Sequence, residues 1–239
     1  KLLDRAALHC IRHRLHHHFV GQSGGPTAAI NATLAGVIKG YFESRDAVTK
    51  LYGMKNGIEG FLGERMCDLG SIFSDEKGDV DTEKLSLLSQ TPAAALGSCR
   101  KKLPDPSAEP EFYEKLIALF KKYDIRYFFY NGGNDSMDTC DKVSKFMEKS
   151  GYDVNVIGIP KTIDNDLCET DNCPGYGSAA KYIANSIMEM NRDASVYPSP
   201  IVIVVEIMGR NAGWLTAASK LASVGGYGAD LIYLPEIPF

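Results

Sequence analysis

An α/β fold built on a parallel sheet is predicted from three observations. Segments with strand and helix patterning alternate along the chain, which implies strands covered by their own crossover helices. Residues 201–205 (Ile-Val-Ile-Val-Val) form a continuous apolar run, as expected for a strand buried on both faces. Two loops rich in Gly, Asn and Asp are separated by one helix and one strand, about the spacing of a single βαβ unit. Right-handed crossovers make the flanking strands parallel, so both loops leave the same edge of the sheet. Two independent turns would have no reason to converge in this way.

The elements follow in order. Residues 15–20 are a candidate first strand, poor in apolar residues, and a helix over 28–42 is entered from Gly24-Gly25-Pro26. Residues 48–52 read as a short strand before Gly57-Ile-Glu-Gly60, and 85–95 lead into Gly97-Ser98. A helix over 109–123 carries Phe112, Leu116, Leu119 and Phe120 at helical spacing, a core stripe rather than a site. Ile125-Arg-Tyr-Phe-Phe-Tyr is an aromatic strand; a Gly-Gly turn, an Asp or Ser cap and a helix over 137–149 follow it. The apolar run 154–159 is the next strand, and a helix over 177–193 places Ile183, Ile187 and Met190 on one stripe. Residues 201–205 and 230–234 are the last two strands expected. The polar, turn-rich stretch 166–177 is the predicted domain boundary.

The chemistry concentrates in Gly158-Ile-Pro-Lys-Thr-Ile-Asp-Asn-Asp-Leu167. A lysine, a hydroxyl and two carboxylates follow the end of a strand, which suits a reaction needing a base, a metal and an anion clamp together. Phosphoryl transfer to a hydroxyl is such a reaction, because its catalysis is mostly positioning and charge stabilisation. Taken alone, the segment reads equally as an Asx-rich turn. The loop Asn131-Gly-Gly-Asn-Asp-Ser136 adds glycines that let backbone approach a ligand. The helix it opens offers unpaired N–H groups to phosphate.

Composition narrows the class. At 239 residues and formal charge -4, without a broad basic stretch, the chain is not expected to bind nucleic acid. No apolar run approaches the roughly 18 residues of a membrane span. Six cysteines without a Cys-x-x-Cys pair fit reduced thiols in a cytoplasmic protein. All five histidines (His9, His13, His16, His17, His18) fall in the first 18 residues, so the body has neither a histidine triad nor an imidazole zinc site. Any general base there is a carboxylate, or failing that Lys, Tyr or Cys. Residues 1–18 are basic and Leu-rich and read as a leader foreign to the rest, with no function assigned. Without its four basic residues (Lys1, Arg5, Arg12, Arg14) and Asp4, the formal charge falls from -4 to -7.

Six stretches carry a resemblance to the phosphofructokinase family, and within it to the pyrophosphate-dependent branch. They are Gly21-Gln-Ser-Gly-Gly-Pro-Thr-Ala-Ala-Ile-Asn31, Leu96-Gly-Ser-Cys-Arg100, Gly132-Gly-Asn-Asp-Ser136, Pro160-Lys-Thr-Ile-Asp-Asn-Asp166, Val205-Glu-Ile-Met-Gly-Arg210 and Leu234-Pro-Glu236. They stand in the family's order and span nearly everything after residue 18. One short match would be weak; six in order are strong. The resemblance implies a Rossmann-like parallel sheet in a large donor-binding lobe over 19–166. The start of a smaller sugar-phosphate lobe, incomplete, is implied over 167–239. Because the family continues beyond Leu-Pro-Glu, the chain ending at Phe239 is expected to be a truncated product of doubtful activity alone.

The roles implied by the resemblance are transfer from pyrophosphate to the C1 hydroxyl of fructose 6-phosphate, giving fructose 1,6-bisphosphate, with Mg²⁺ as cofactor. Asp164 is the implied general base, Thr162 a hydrogen-bond donor to the phosphoryl group or substrate, and Lys161 an anion clamp. Gly24, Gly25 and Arg100 cradle the donor. Met208, Gly209, Arg210 and Glu236 line the sugar phosphate, and Asn134, Asp135 and Asp166 are the candidate Mg²⁺ ligands. Two positions choose the donor. Where ATP-using relatives carry Gly-Gly-Asp-Gly-Ser, Asp135 replaces the second glycine and obstructs the α-phosphate of a nucleotide. At ~4 Å and an effective dielectric near 20, two like charges cost about 4 kcal/mol, roughly three decades in affinity. Lys161 replaces a small residue and gives compact pyrophosphate a positive charge. Asn134 departs from the family's more usual Asp and retains only a neutral ligand oxygen. Ile201 stands where many relatives have an arginine that crosses a subunit interface. A homodimer is implied for the full-length protein. An ATP-dependent kinase and a non-catalytic family member remain the alternatives.

Overall fold

A computed structural model describes residues 16–238. The residues form two compact units, Lys1–Pro160 and Lys161–Phe239. The division falls after Pro160, six residues before the boundary expected at Asp166, because Lys161 already belongs with the residues that follow it.

The first unit is a five-stranded sheet of order β3-β2-β1-β4-β5. Its strands are β1 His16–Gln22, β2 Val48–Met54, β3 Met66–Asp68, β4 Ile125–Gly132 and β5 Asn155–Pro160. β1 lies between β2 and β4 and pairs parallel with both, β4 pairs parallel with β5, and only the edge strand β3 runs antiparallel. The parallel sheet is therefore as expected, with one antiparallel edge that was not foreseen, since three residues are too few to show a period. β1 corrects the leader boundary. His16 pairs with β2, and His17 and His18 pair with both β2 and β4, so these are strand residues rather than foreign sequence. The expected strand start at Leu15 lies outside the described residues.

Helices cover both faces because successive strand residues point to opposite sides. Phe19 packs with α2 (Gly57–Leu62), α5 (Pro110–Lys122) and α6 (Asn134–Lys149), through Phe61, Phe120, Val143 and Met147. Its neighbour Val20 packs the other way, against Leu34 and Ile38 of α1 (Ile30–Glu43) and Leu88 of α4 (Thr82–Gln90). A one-turn helix, α3 (Leu69–Ile72), follows β3. On α5 the buried stripe is Tyr113, Leu116, Leu119 and Phe120, so Tyr113 takes the place expected for Phe112.

The second unit contains α7 (Tyr176–Ala194), α8 (Trp214–Ala218) and a 3₁₀ helix (Ser219–Gly225). α7 matches the expected helix and buries Ala180, Ala184 and Ile187. The strands expected at 201–205 and 230–234 do not form: among the described residues neither stretch enters a β-ladder. Ile201 to Val205 are exposed in the alternating series 47, 89, 47, 90 and 39%. Extended chain needs a neighbour to pair its N–H and C=O groups before it becomes a strand.

Candidate functional site

Within the first unit, the sheet topology sets the location. The chain passes from β1 to β2 on one side, while β4 lies on the other side of β1, so the connections after β1 and β4 diverge at adjacent carboxyl ends. That divergence is the usual position of a ligand crevice in an open α/β sheet. Gly24 and Gly25 follow β1, and Asn134 and Asp135 open α6 after β4.

Three loops are fastened together there. The Ser23 N–H donates to Asn131 O at 2.9 Å, and the Gly24 N–H and Ser23 Oγ donate to Cys99 O at 3.2 and 3.1 Å. Ser98 Oγ returns a bond to Gly24 O at 2.5 Å. Gly24 has φ of +74°, a left-handed conformation that favours glycine. A Cβ built on Gly25 would meet nothing within 4 Å, so its backbone borders open space. Arg100 is exposed just beyond this loop, on the run it shares with Lys101 and Lys102. Lys101 lies over the Phe112 ring, 5.6 Å from its centroid, whereas Lys102 Nζ lies 3.2 Å from Asp135 Oδ1.

Gln22 and Asn31, both fully buried, hold the ring from beneath. Gln22 Nε2 donates to Asn31 Oδ1 at 2.9 Å, and Gln22 Oε1 accepts the Leu96 N–H at 2.8 Å. Asn31 Nδ2 donates to the carbonyls of Thr91 and Ala93, and Asn31 Oδ1 accepts the Ala95 N–H. These two amides fix where the 91–96 segment approaches β1. Sequence reasoning assigned them no role, although amide side chains at the end of a strand and just inside a helix were the available signal.

The second unit holds Lys161, Thr162, Asp164 and Asp166. Asn165 organises them. It is buried with φ of +57°, its Oδ1 accepts the Cys173 N–H at 2.8 Å, and its Nδ2 donates to Asp171 O at 3.2 Å. The left-handed turn suits Asn and sets a carboxylate on either side of it, with Asp166 exposed and Asp164 half-buried. Thr162 Oγ1 accepts the Asp164 N–H at 3.1 Å, and Thr162 bridges to Gly175 at the head of α7. Asp164 Oδ1 is buried without a hydrogen-bond partner. Burial, then the charge of Asp166, raises the Asp164 pKa above the ordinary carboxylate value, and Lys161 opposes the rise. Lys161 is itself buried.

The other predicted residues of this unit lie further along. Met208 and Arg210 are exposed, and Gly209 has φ of +132°. Glu236 Oε1 accepts the Gly213 N–H at 2.6 Å, so that carboxylate caps the start of α8. Among the described residues no three His, Cys, Asp or Glu side chains gather as a metal-binding group.

A Rossmann-like α/β protein with glycine-bordered loops at its sheet switch point is the class these features define. The chain belongs to the phosphofructokinase family, whose profile, described as Phosphofructokinase, matches residues 17–239. It is 49% identical over 227 residues to a pyrophosphate–fructose 6-phosphate 1-phosphotransferase of Halomonas elongata, covering 94% of this chain and 52% of that protein. A crystal structure of a pyrophosphate-dependent phosphofructokinase from Nitrosospira multiformis superposes with TM-score 0.81 at 45% identity. That match covers 95% of this chain and 55% of the other. An ATP-dependent 6-phosphofructokinase of Chloroflexus aggregans is more distant, 29% identical over 217 residues, covering 91% of this chain and 55% of that protein. The chain thus spans about half the length of the curated relatives it matches.

Proposed function

We propose that this chain carries the donor-binding and base-bearing part of a pyrophosphate-dependent phosphofructokinase acting on fructose 6-phosphate. Asp164 takes the proton of the C1 hydroxyl, whose oxygen attacks the terminal phosphorus. The bond to the bridging oxygen breaks, and inorganic phosphate leaves. A positioned base of this kind contributes about 10²–10⁴ in rate, and the half-buried Asp164, with one carboxylate oxygen lacking a partner, supports that role. Thr162 orients the transferring group, and Lys161 and Arg100 offset its charge. Gly24 and Gly25 present backbone to the donor, and Met208, Gly209, Arg210 and Glu236 serve the sugar phosphate.

Mg²⁺ is the cofactor in this reading, with Asn134, Asp135 and Asp166 each a candidate oxygen ligand. These are hard oxygen donors, which suit a cation that takes one or two carboxylates and completes its shell with water and phosphate oxygens. When bound, the ion neutralises charge on the donor. The parent enzyme is a cytoplasmic homodimer in the same reading; among the described residues no helix is long and apolar enough to cross a membrane.

The donor assignment rests on Asp135, an exposed carboxylate in the first turn of α6, where it denies space to a nucleotide's α-phosphate. Fructose 1,6-bisphosphate formation, followed with pyrophosphate and with ATP, tests it. Turnover with pyrophosphate is expected and a preference for ATP overturns it. Asp135→Gly should raise ATP use.

A further inference from the structure

An anion site that contains a carboxylate needs a cation to offset it, and one residue of the first unit is placed to do so. Lys102 Nζ lies 3.2 Å from Asp135 Oδ1, joining the 96–102 loop to the head of α6. Its two basic neighbours do not make that contact. Lys101 is turned onto the ring of Phe112, and Arg100 forms no ion pair with Asp135. The loop bearing Lys102 is fixed by the Ser98–Gly24 and Ser23–Cys99 bonds, and by Leu96 on Gln22. The ammonium is thus delivered to the α6 head by anchored backbone, not by a free chain.

We infer that Lys102 is a specificity-determining residue, the counter-ion that lets Asp135 stand beside a diphosphate while still excluding a nucleotide. The inference rests on the proposed pyrophosphate-dependent function. Without Lys102, whatever part of the Asp135 charge bound Mg²⁺ does not offset would act on any donor; with it, that remaining repulsion of pyrophosphate is offset and the bulk of the carboxylate remains. Both side chains are largely exposed, at 74 and 65%, so the pair adds little stability. Its effect belongs to ligand binding.

The test is calorimetric titration of magnesium pyrophosphate into the wild-type chain and into Lys102→Gln, Lys102→Arg and Lys101→Gln. Binding to Lys102→Gln should weaken about tenfold, equivalent to about 1.4 kcal/mol. Lys102→Arg and Lys101→Gln should stay within about twofold of wild type, and all melting temperatures should agree. In an Asp135→Asn background, the cost of Lys102→Gln should shrink to under about twofold, because there is no longer a charge to offset. An unchanged affinity for Lys102→Gln overturns the inference and leaves the pyrophosphate reading standing. An undiminished cost in the Asp135→Asn background also overturns it, since Lys102 would then act on the donor alone. Wild-type protein that binds no pyrophosphate defeats the functional reading, and this inference with it.

Discussion

The sheet of the first unit and the extended stretch 201–205 of the second contain the same kind of sequence in opposite conditions. Phe19 and Val20 of β1 are fully buried because strands pair on both sides and helices cover both faces. Residues 201–205 are at least as apolar, yet they join no ladder among the described residues and alternate between half and nearly full exposure. An apolar run therefore records a capacity for burial, and neighbouring chain decides whether it is realised.

The contrast is sharpest in a pair of truncations. Phe128→Ala, on β4 against the rings of Phe61, Phe120 and Tyr130, should cost about 3–5 kcal/mol of stability. Val204→Ala should stay within about 0.5 kcal/mol. Urea denaturation reads both, and similar costs would break the comparison. A smaller effect tests whether the first unit's loops are held as firmly as its strands. Asn31→Ala leaves the Ala95 N–H and one of the two Gln22 amide N–H groups without an acceptor and should cost about 1–3 kcal/mol. It should also speed amide exchange at residues 93–97, whereas an unchanged exchange rate would detach the amide network from the loop.

The mildest effect concerns pH. His18, partly buried between His16, His17 and the rings of Tyr127 and Phe129, has its pKa lowered from 6.5 to about 4, first by burial and then by its histidine neighbours. The unfolded chain takes up the proton first as pH falls. His18 therefore contributes fully above about pH 6.5, and its contribution is lost progressively down to about pH 4. After allowance for its exposure, the loss is about 1 kcal/mol. Thermal melts across that window should flatten in His18→Gln, and an equal slope would assign the acid sensitivity elsewhere.

Much of the first unit was legible because its signals are local. Helical spacing marked α5 (as it did α7 in the second unit), and the aromatic run before Gly-Gly marked β4 and the head of α6. The pairing of β1 was harder to read, since His16, His17 and His18 resemble a leader until β2 and β4 are set beside them. Among the site residues, the carboxylates and glycines were visible as motifs. Asn165 was not distinguished from its acidic neighbours, because its importance comes from bonds to residues six and eight positions ahead. Lys102 carried no signal of its own, since nothing nearby in sequence indicates Asp135, thirty-three positions away.

The central place of β1 has a practical consequence. A shortened version designed to begin at Phe19, on the view that the histidines are a dispensable tag, would delete three of that strand's seven residues. The lost segment pairs with Val48, Lys50 and Leu51 on one side and with Ile125 and Tyr127 on the other. Such trimming would open a seam through the middle of the sheet, and any safe cut must fall before His16.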